Sequence, residues 1–244
     1  MASPTAERAR TETHRDSPAR RSAPPSPSLL ERHGWIAPLL LLALTFAAYS
    51  NSFRVPFLYD DIGAIPENST IRRLARLDQV LSPPRDTSVA GRPMLNLTFA
   101  MNYAISGLEV WSYHLLNILI HAGAGLALYG LVRRTLATPR LGELFASAAA
   151  PLALVTALLW TLHPLQTESV TYIVQRAEAL VGFFYLFLFY CVVRGATAAS
   201  PARANGWYVA AALTGFLGMA SKEVMATAPL LLLLYDRTFL AGTF

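Results

Sequence analysis

Charge is scarce in this chain of 244 residues: only 14% are Asp, Glu, Lys or Arg, while 54% are hydrophobic. A soluble domain carries about a quarter charged residues, so this sequence is short of the groups that cover a solvated surface. The shortage disfavours a disordered chain and a coiled coil. Cysteine is nearly missing too. The single Cys191, set in an apolar run, excludes a disulfide framework. No Cys/His cluster has zinc-ligand spacing, no glycine fingerprint for a nucleotide is present, and no helical period of about 34 residues appears. Lysine is almost absent: of twenty cationic residues nineteen are Arg and one is Lys222. Net charge +5 and pI 9.6 would suit a nucleic-acid partner. Six of those Arg, however, lie in a polar tail rather than on a folded basic face, so no nucleic-acid partner is expected. A mean hydropathy of +0.39 leaves an integral membrane protein.

Residues 1–34 hold Arg8, Arg10, Arg15, Arg20, Arg21 and Arg32 with a Pro/Ser-rich stretch at 22–28, and read as a disordered cytoplasmic tail. Apolar runs follow at residues 35–50, 111–132, 145–162, 179–193, 207–220 and 224–240. A spanning helix needs about 20 residues, so the shorter runs must borrow from their flanks. The fold expected is all-α: a polytopic membrane helix bundle of about six spans. Between the first two runs lies a mixed outer loop, 51–110. There, residues 71–81 (IRRLARLDQVL) place apolar side chains at helical spacing opposite Arg, which predicts an interfacial amphipathic helix. Residues 93–106 predict a second. Alternate threading puts Arg133, Arg134, Arg140, Arg194, Arg203 and Arg237 on the side of the Arg-rich tail, and the positive-inside rule makes that side cytoplasmic.

Three clusters then fall on the outer side: Asp60–Asp61, the segment from His163 through Glu168 to Arg176 and Glu178, and Ser221-Lys222-Glu223. Ionisable groups at membrane depth usually face a cavity and have partners. Each has an ordinary explanation as well. Adjacent acids are most often loop residues or a helix cap; the functional alternative is a general base, since a carboxylate beside a like charge accepts a proton more readily. Glu168 and Arg176, eight residues apart, would share a helix face about 12 Å apart, and Glu178 would lie about 200° round from Arg176. Arg176 is either a snorkelling anchor or a clamp on an anionic headgroup. Lys222 beside Glu223 carries the same two readings, and His163-Pro164 can simply end a span. Asp60, Asp61 and Glu168 could hold a divalent ion, although no spacing demands one. Asn68-Ser69-Thr70 and Asn96-Leu97-Thr98 match the glycosylation pattern.

The order YDD (59–61), RPMLNLTFAMNYAISG (92–107), YHLLNILIHAGAGLALYGLVRR (113–134), LHPLQTESVTYIVQRAE (162–178) and GMASKEVMATAPLLLLLYD (218–236) resembles one group. It is similar to the membrane portion of the transmembrane and tetratricopeptide-repeat O-mannosyltransferase-like proteins, of the GT-C superfamily, and their bacterial relatives. The HPxQTExV…QRAE and SKE blocks carry the likeness, which covers residues 35–240.

The resemblance implies a GT-C-like transmembrane domain over 35–244 that takes a mannose-like sugar from a polyprenyl-phosphate carrier and transfers it to a protein or glycan acceptor on the outer face. Asp60 or Asp61 would be the base or orient the acceptor, with Asp61 slightly preferred. Arg176 and Lys222, with His163, Glu168, Glu178 and Glu223 around them, would form the lipid-phosphate and substrate site, and Arg72, Arg73 and Arg76 a weaker one. No cofactor is implied with certainty. The location implied is a bacterial inner membrane with the active face periplasmic. Such proteins usually continue into more spans and repeats, so the six spans are expected to be an incomplete N-terminal part. The alternative from another class is a non-catalytic lipid-phosphate-binding or assembly module. A small transporter ranks lower, because the ionisable groups sit at span ends rather than midway.

Overall fold

The computed structural model describes Leu30 and residues 33–241. The expected tail lies almost wholly outside the described residues. The described residues are all-helical, with no strand. In chain order the helices are α1 (Ile36–Tyr49), α2 (Asp60–Ala64), α3 (Leu77–Val80), α4 (Pro93–Ser106), α5 (Val110–Leu136), α6 (Pro139–Phe145), α7 (Ala149–Thr161), α8 (Thr167–Thr171), α9 (Arg176–Ala196), α10 (Pro201–Met219) and α11 (Ala228–Tyr235), joined in several places by single 3-10 turns.

Among the described residues, four helical stretches are long and apolar enough to cross a membrane: Ile36–Arg54, Val110–Leu136, Pro139–Thr161 and Ile173–Ala196. The six expected spans therefore reduce to four on length and composition. α10 is diluted by Arg203 and Asn205 in its first turns, and the last run breaks into a 3-10 turn (Glu223–Thr227), α11 and a π turn (Asp236–Leu240). Contacts nevertheless carry both of these along the same bundle. α5 and α9 run parallel, with Arg176 against Tyr113 and Asn117 at one end and Gly130 against Tyr190 near the other. α10 returns antiparallel: Tyr208 packs on Gly195, and Lys222, just past its end, reaches Glu178. α11 turns back again, with Thr227 bonded to Tyr185 and Tyr235 to Thr135. Exposed Val209, Leu213 and Phe216 on α10 and Leu230, Leu231, Leu233 and Leu234 on α11 leave these helices apolar on the outside, as a hydrocarbon solvent requires.

The segment between α1 and α5 is folded into the main core rather than laid over it. Ile65, Ile71, Val80 and Val89 are fully buried and join one cluster with Leu95, Phe99, Tyr113, Ile173 and Leu180. That pinning corrects the helix expected over residues 71–81. Ile71 ends a 3-10 turn, Arg76 leaves helical geometry at φ −90° and ψ 67°, and only α3 follows, with Leu77 and Leu81 exposed. Asn68 accepts from the Thr70 N–H, which closes that turn and competes with helix growth. The second expected helix forms at its expected bounds. Pro93 opens α4 where a missing N–H costs nothing, and Gly107, at φ 61°, ends it.

Candidate functional site

Asp60 and Asp61 open α2, and their environments differ sharply. Asp61 is 1% exposed; its Oδ2 accepts from the Leu58 N–H at 3.0 Å and its Oδ1 from the Val174 N–H at 2.8 Å. This one carboxylate therefore ties the first loop to the turn preceding α9. Burial raises its pKa above the usual carboxylate range, the nearby Asp60 adds to the rise, and the two N–H donors and Arg176 oppose it. Asp60 is exposed, and its backbone N–H donates to the Tyr172 hydroxyl at 3.0 Å. Its carboxylate accepts no hydrogen bond from the described residues.

The residue before this pair is strained. Tyr59 sits at φ 45° and ψ −113°, the one non-glycine with positive φ among the described residues, and it is 86% exposed. An exposed aromatic held in such a conformation costs of order 1–3 kcal/mol and persists only where surrounding contacts dictate it. Here the contacts are the Asp61 anchor and the Tyr172 hydroxyl on either side of the turn.

The second and third clusters converge on the same region. Glu168, exposed on α8, accepts from Gln175 Nε2 at 3.1 Å. Glu178, in the first turn of α9, forms an ion pair with the half-buried Lys222. The Met94 N–H at the start of α4 donates to the Ala220 carbonyl at 3.0 Å. Glu223 is exposed at the start of its 3-10 turn. His163 is exposed as well; its Nδ1 accepts from the Leu165 N–H, so it caps the turn that follows α7. A cavity of about 440 Å³ lies beside it, against Trp160, Leu165 and Gln166.

Arg176 is turned inward: its side chain is completely buried. Nε donates to Asn117 Oδ1 at 2.6 Å, Nη1 to Asn102 Oδ1 at 2.6 Å and Thr98 Oγ1 at 3.2 Å, and Nη2 to the Tyr113 carbonyl at 2.9 Å. Phe99 lies under the guanidinium, 4.7 Å from its ring centre. The cation is the hub that fastens α4 and α5 to the start of α9. Its face-sharing with Glu168 also fails: the chain is extended at Tyr172 (ψ 114°), so α8 and α9 are separate helices.

The glycosylation patterns fall to burial as well. Asn68 and Asn96 are at most 1% exposed and bond to each other at 2.8 Å, while Asn96 also donates to the Val80 carbonyl. No group of three or more His, Cys, Asp or Glu able to hold a metal occurs among the described residues; Asp60, Asp61 and Glu168 do not form one.

Tyr59, Tyr172 and the Asn102–Asn117–Thr98 cradle went unnoticed in the sequence. Asn102 and Asn117, polar groups on otherwise apolar helix faces, were the available signal. A polar cavity of about 510 Å³ is lined by Arg72, Arg73 and Arg76. Arg72 Nη2 donates to the Ile65 and Pro66 carbonyls just beyond α2, but its Nη1 is buried with no partner. Arg76 is forked onto Asp78, and Arg73 is exposed.

Together these features define an integral membrane protein, a helix bundle that brings Asp60, Asp61, Glu168, Glu178 and Lys222 to one end. The chain is similar to protein O-mannosyl-transferases. It is 31% identical over 210 residues to protein O-mannosyl-transferase TMTC2 of Mus musculus, and likewise to that of Homo sapiens, covering 82% of this chain and 24% of each relative. It is 32% identical over 166 residues to protein O-mannosyl-transferase TMTC3 of Mus musculus, covering 64% of this chain and 17% of that one. The chain thus spans about a quarter of the length of the TMTC2 relatives or less of TMTC3. No family model and no solved structure matches it.

Proposed function

We propose that this chain carries the acceptor-side machinery of a GT-C-type membrane glycosyltransferase that moves a mannose-like sugar from a polyprenyl-phosphate carrier to a hydroxyl of a protein acceptor. The observation that carries the reading is the joining of Asp60–Asp61 to the 162–178 segment through Asp61–Val174 and Asp60–Tyr172, in a chain whose relatives are named for O-mannosyl transfer. The antiparallel passes of α10 and α11 support six spans, with the tail and C-terminal side cytoplasmic and Asp60 on the outer face, periplasmic in a bacterial inner membrane.

The two acids divide the work. Asp60, with its free and accessible carboxylate, takes the proton from the acceptor hydroxyl. The hydroxyl oxygen forms its bond to the anomeric carbon as the carbon–oxygen bond to the carrier phosphate breaks, and the phosphate leaves with that electron pair. The configuration inverts, and no covalent sugar intermediate is needed. Asp61 is a positioning residue that holds the strained Tyr59–Asp60 turn. With Arg176 buried and Lys222 neutralised by Glu178, the carrier phosphate is assigned to the polar cavity lined by Arg72 and Arg73.

The test measures transfer of labelled mannose from polyprenyl-phosphate mannose to protein in membranes carrying the full protein. Asp60→Asn is expected to lower kcat by at least about 100-fold at unchanged expression. Asp61→Asn should lower activity less and mainly through altered KM and thermal sensitivity. Full activity in Asp60→Asn overturns the assignment of the base.

A further inference from the structure

At the end of the bundle away from Asp60, an apolar groove of about 680 Å³ runs between α1, α5 and α9. Its walls include Pro38, Leu126, Phe183 and Phe187, and Gly123 and Gly130 on α5 keep it open at the points where a larger side chain would meet Phe183 and Tyr190. Arg133 and Arg134 close one end. A smaller, polar cavity of about 210 Å³ follows, bordered by Arg134, Arg194, Arg203 and Trp207, so Arg134 belongs to both. Arg194 donates to the Tyr190 hydroxyl at 3.1 Å and lies over Trp207, 4.4 Å from the ring centre. That contact aims a planar donor group at the cavity with a fixed orientation.

Among the described residues, no ion pair joins Arg134, Arg194 or Arg203 to a carboxylate. The two ion pairs among the described residues, Arg76–Asp78 and Glu178–Lys222, both belong to the Asp60 end. Arginines in the last turns of α5 and α9 have an ordinary role, facing the helix C-termini and setting topology. That role needs neither a shared cavity nor an apolar groove leading away from it. Basic pockets between helices at the cytoplasmic surface are suited to anionic headgroups, and an adjoining apolar channel adds room for an acyl chain.

We propose that this groove and its arginine-lined cavity form a binding site for an anionic glycerophospholipid of the surrounding bilayer, the phosphate held by Arg134, Arg194 and Arg203 and one acyl chain lying against Leu126 and Phe183. The site is separate from the Asp60 region and independent of the transferase reading.

The experiment is native mass spectrometry of the full protein in detergent, incubated with dioleoyl phosphatidylglycerol or dioleoyl phosphatidylcholine. At least about fivefold greater retention of the anionic lipid is expected. The preference should vanish in Arg134→Gln/Arg194→Gln and persist in Arg134→Lys/Arg194→Lys. Should the Gln pair fail to fold, Arg203→Gln, exposed at the rim, must weaken the preference on its own. Leu126→Trp, which fills the groove, should lower retention of both lipids. Equal retention of the two lipids, survival of the preference in the Gln variants, or no lipid retained at all overturns the proposal. Displacement of the lipid by millimolar inorganic phosphate would reveal a bare-phosphate site and overturn it too. Asp60→Asn should leave the preference unchanged, so loss of sugar transfer and loss of lipid retention can be told apart.

Discussion

Arg176 is a cation with no exposed surface, held by three side chains and one carbonyl. Such a group is tolerated only because nearly every donor is matched, and removing it strands the acceptors around it. Arg176→Met should therefore leave the side-chain oxygens of Asn117 and Asn102 unsatisfied. Each stranded buried acceptor costs about 1–3 kcal/mol, so the apparent Tm in detergent should fall steeply. Arg176→Lys, unable to reproduce the planar fork, should recover only part. A variant that keeps its Tm but loses donor binding would instead return Arg176 to the phosphate. Asp61 offers a complementary reading through pH. Its folded pKa is raised by burial, so the native state holds this proton more tightly than the unfolded chain does. The stability tied to that proton is present below the ordinary carboxylate value and is lost as pH rises through the raised one. Wild type should therefore lose Tm over the window from about pH 4 upward more steeply than Asp61→Asn. The variant itself should be less stable at low pH, because an amide can accept from only one of the Leu58 and Val174 N–H groups at a time through its single oxygen. Equal slopes would show that Asp61 does not titrate differently on folding. The sequence marked both residues as important but could not tell a charged group facing a ligand from one facing a cradle. The difference lies in Asn102 and Asn117, contributed from 74 and 59 residues away.

At the scale of elements, the runs whose ends carry local signals were legible and the rest were not. α4 is framed by Pro93 and Gly107, and its bounds were readable from those residues alone. The 71–81 segment had the periodicity of a helix without being one. Its two buried residues, Ile71 and Val80, are each pinned by separate tertiary contacts, which outweigh a pattern worth a few tenths of a kcal/mol per residue. The break at Tyr172 was equally hidden, because nothing in TYIVQ signals a turn; the Asp61 carboxylate captures the Val174 N–H there. Glycines show the same dependence on context. In α5, a Cβ on Gly125 would come 2.6 Å from Thr161 Oγ1 and 3.1 Å from Leu41, where α1, α5 and α7 cross. Gly182 in α9 has nothing within 4 Å. Gly125→Ala should consequently destabilise by about 1–3 kcal/mol, whereas Gly182→Ala should be neutral or stabilise by up to about 1 kcal/mol through helix propensity. Thermal unfolding of the two variants side by side checks this; a neutral Gly125→Ala would mean that the three helices separate easily at that crossing.

For the whole molecule, the gathering of Arg133, Arg134, Arg194 and Arg203 at the end of the bundle away from Asp60 is a large-scale feature that the sequence foreshadowed, because arginine position survives errors in span length. Shifting α9 from residues 179–193 to Arg176–Ala196 moves no arginine to the other end of the bundle except Arg176, which becomes internal. What composition could not supply was the number of passes. α10 falls short by composition and α11 by length, yet their partners, Glu178 to Lys222 and Thr135 to Tyr235, lie at opposite ends of the bundle. A chain bonded at both levels must travel between them. Cysteine accessibility tests the consequence, and the one native thiol, Cys191, is buried and gives little background. Asp86→Cys and Leu165→Cys, at the Asp60 end, should react with a membrane-impermeant maleimide added to intact cells. Arg140→Cys and Ala199→Cys should react only after permeabilisation. If Leu165→Cys and Ala199→Cys label from the same side, α9 does not cross the bilayer. If Ala199→Cys and Glu223→Cys do, α10 does not, and the Lys222–Glu178 pair cannot sit beside the acids of the first loop.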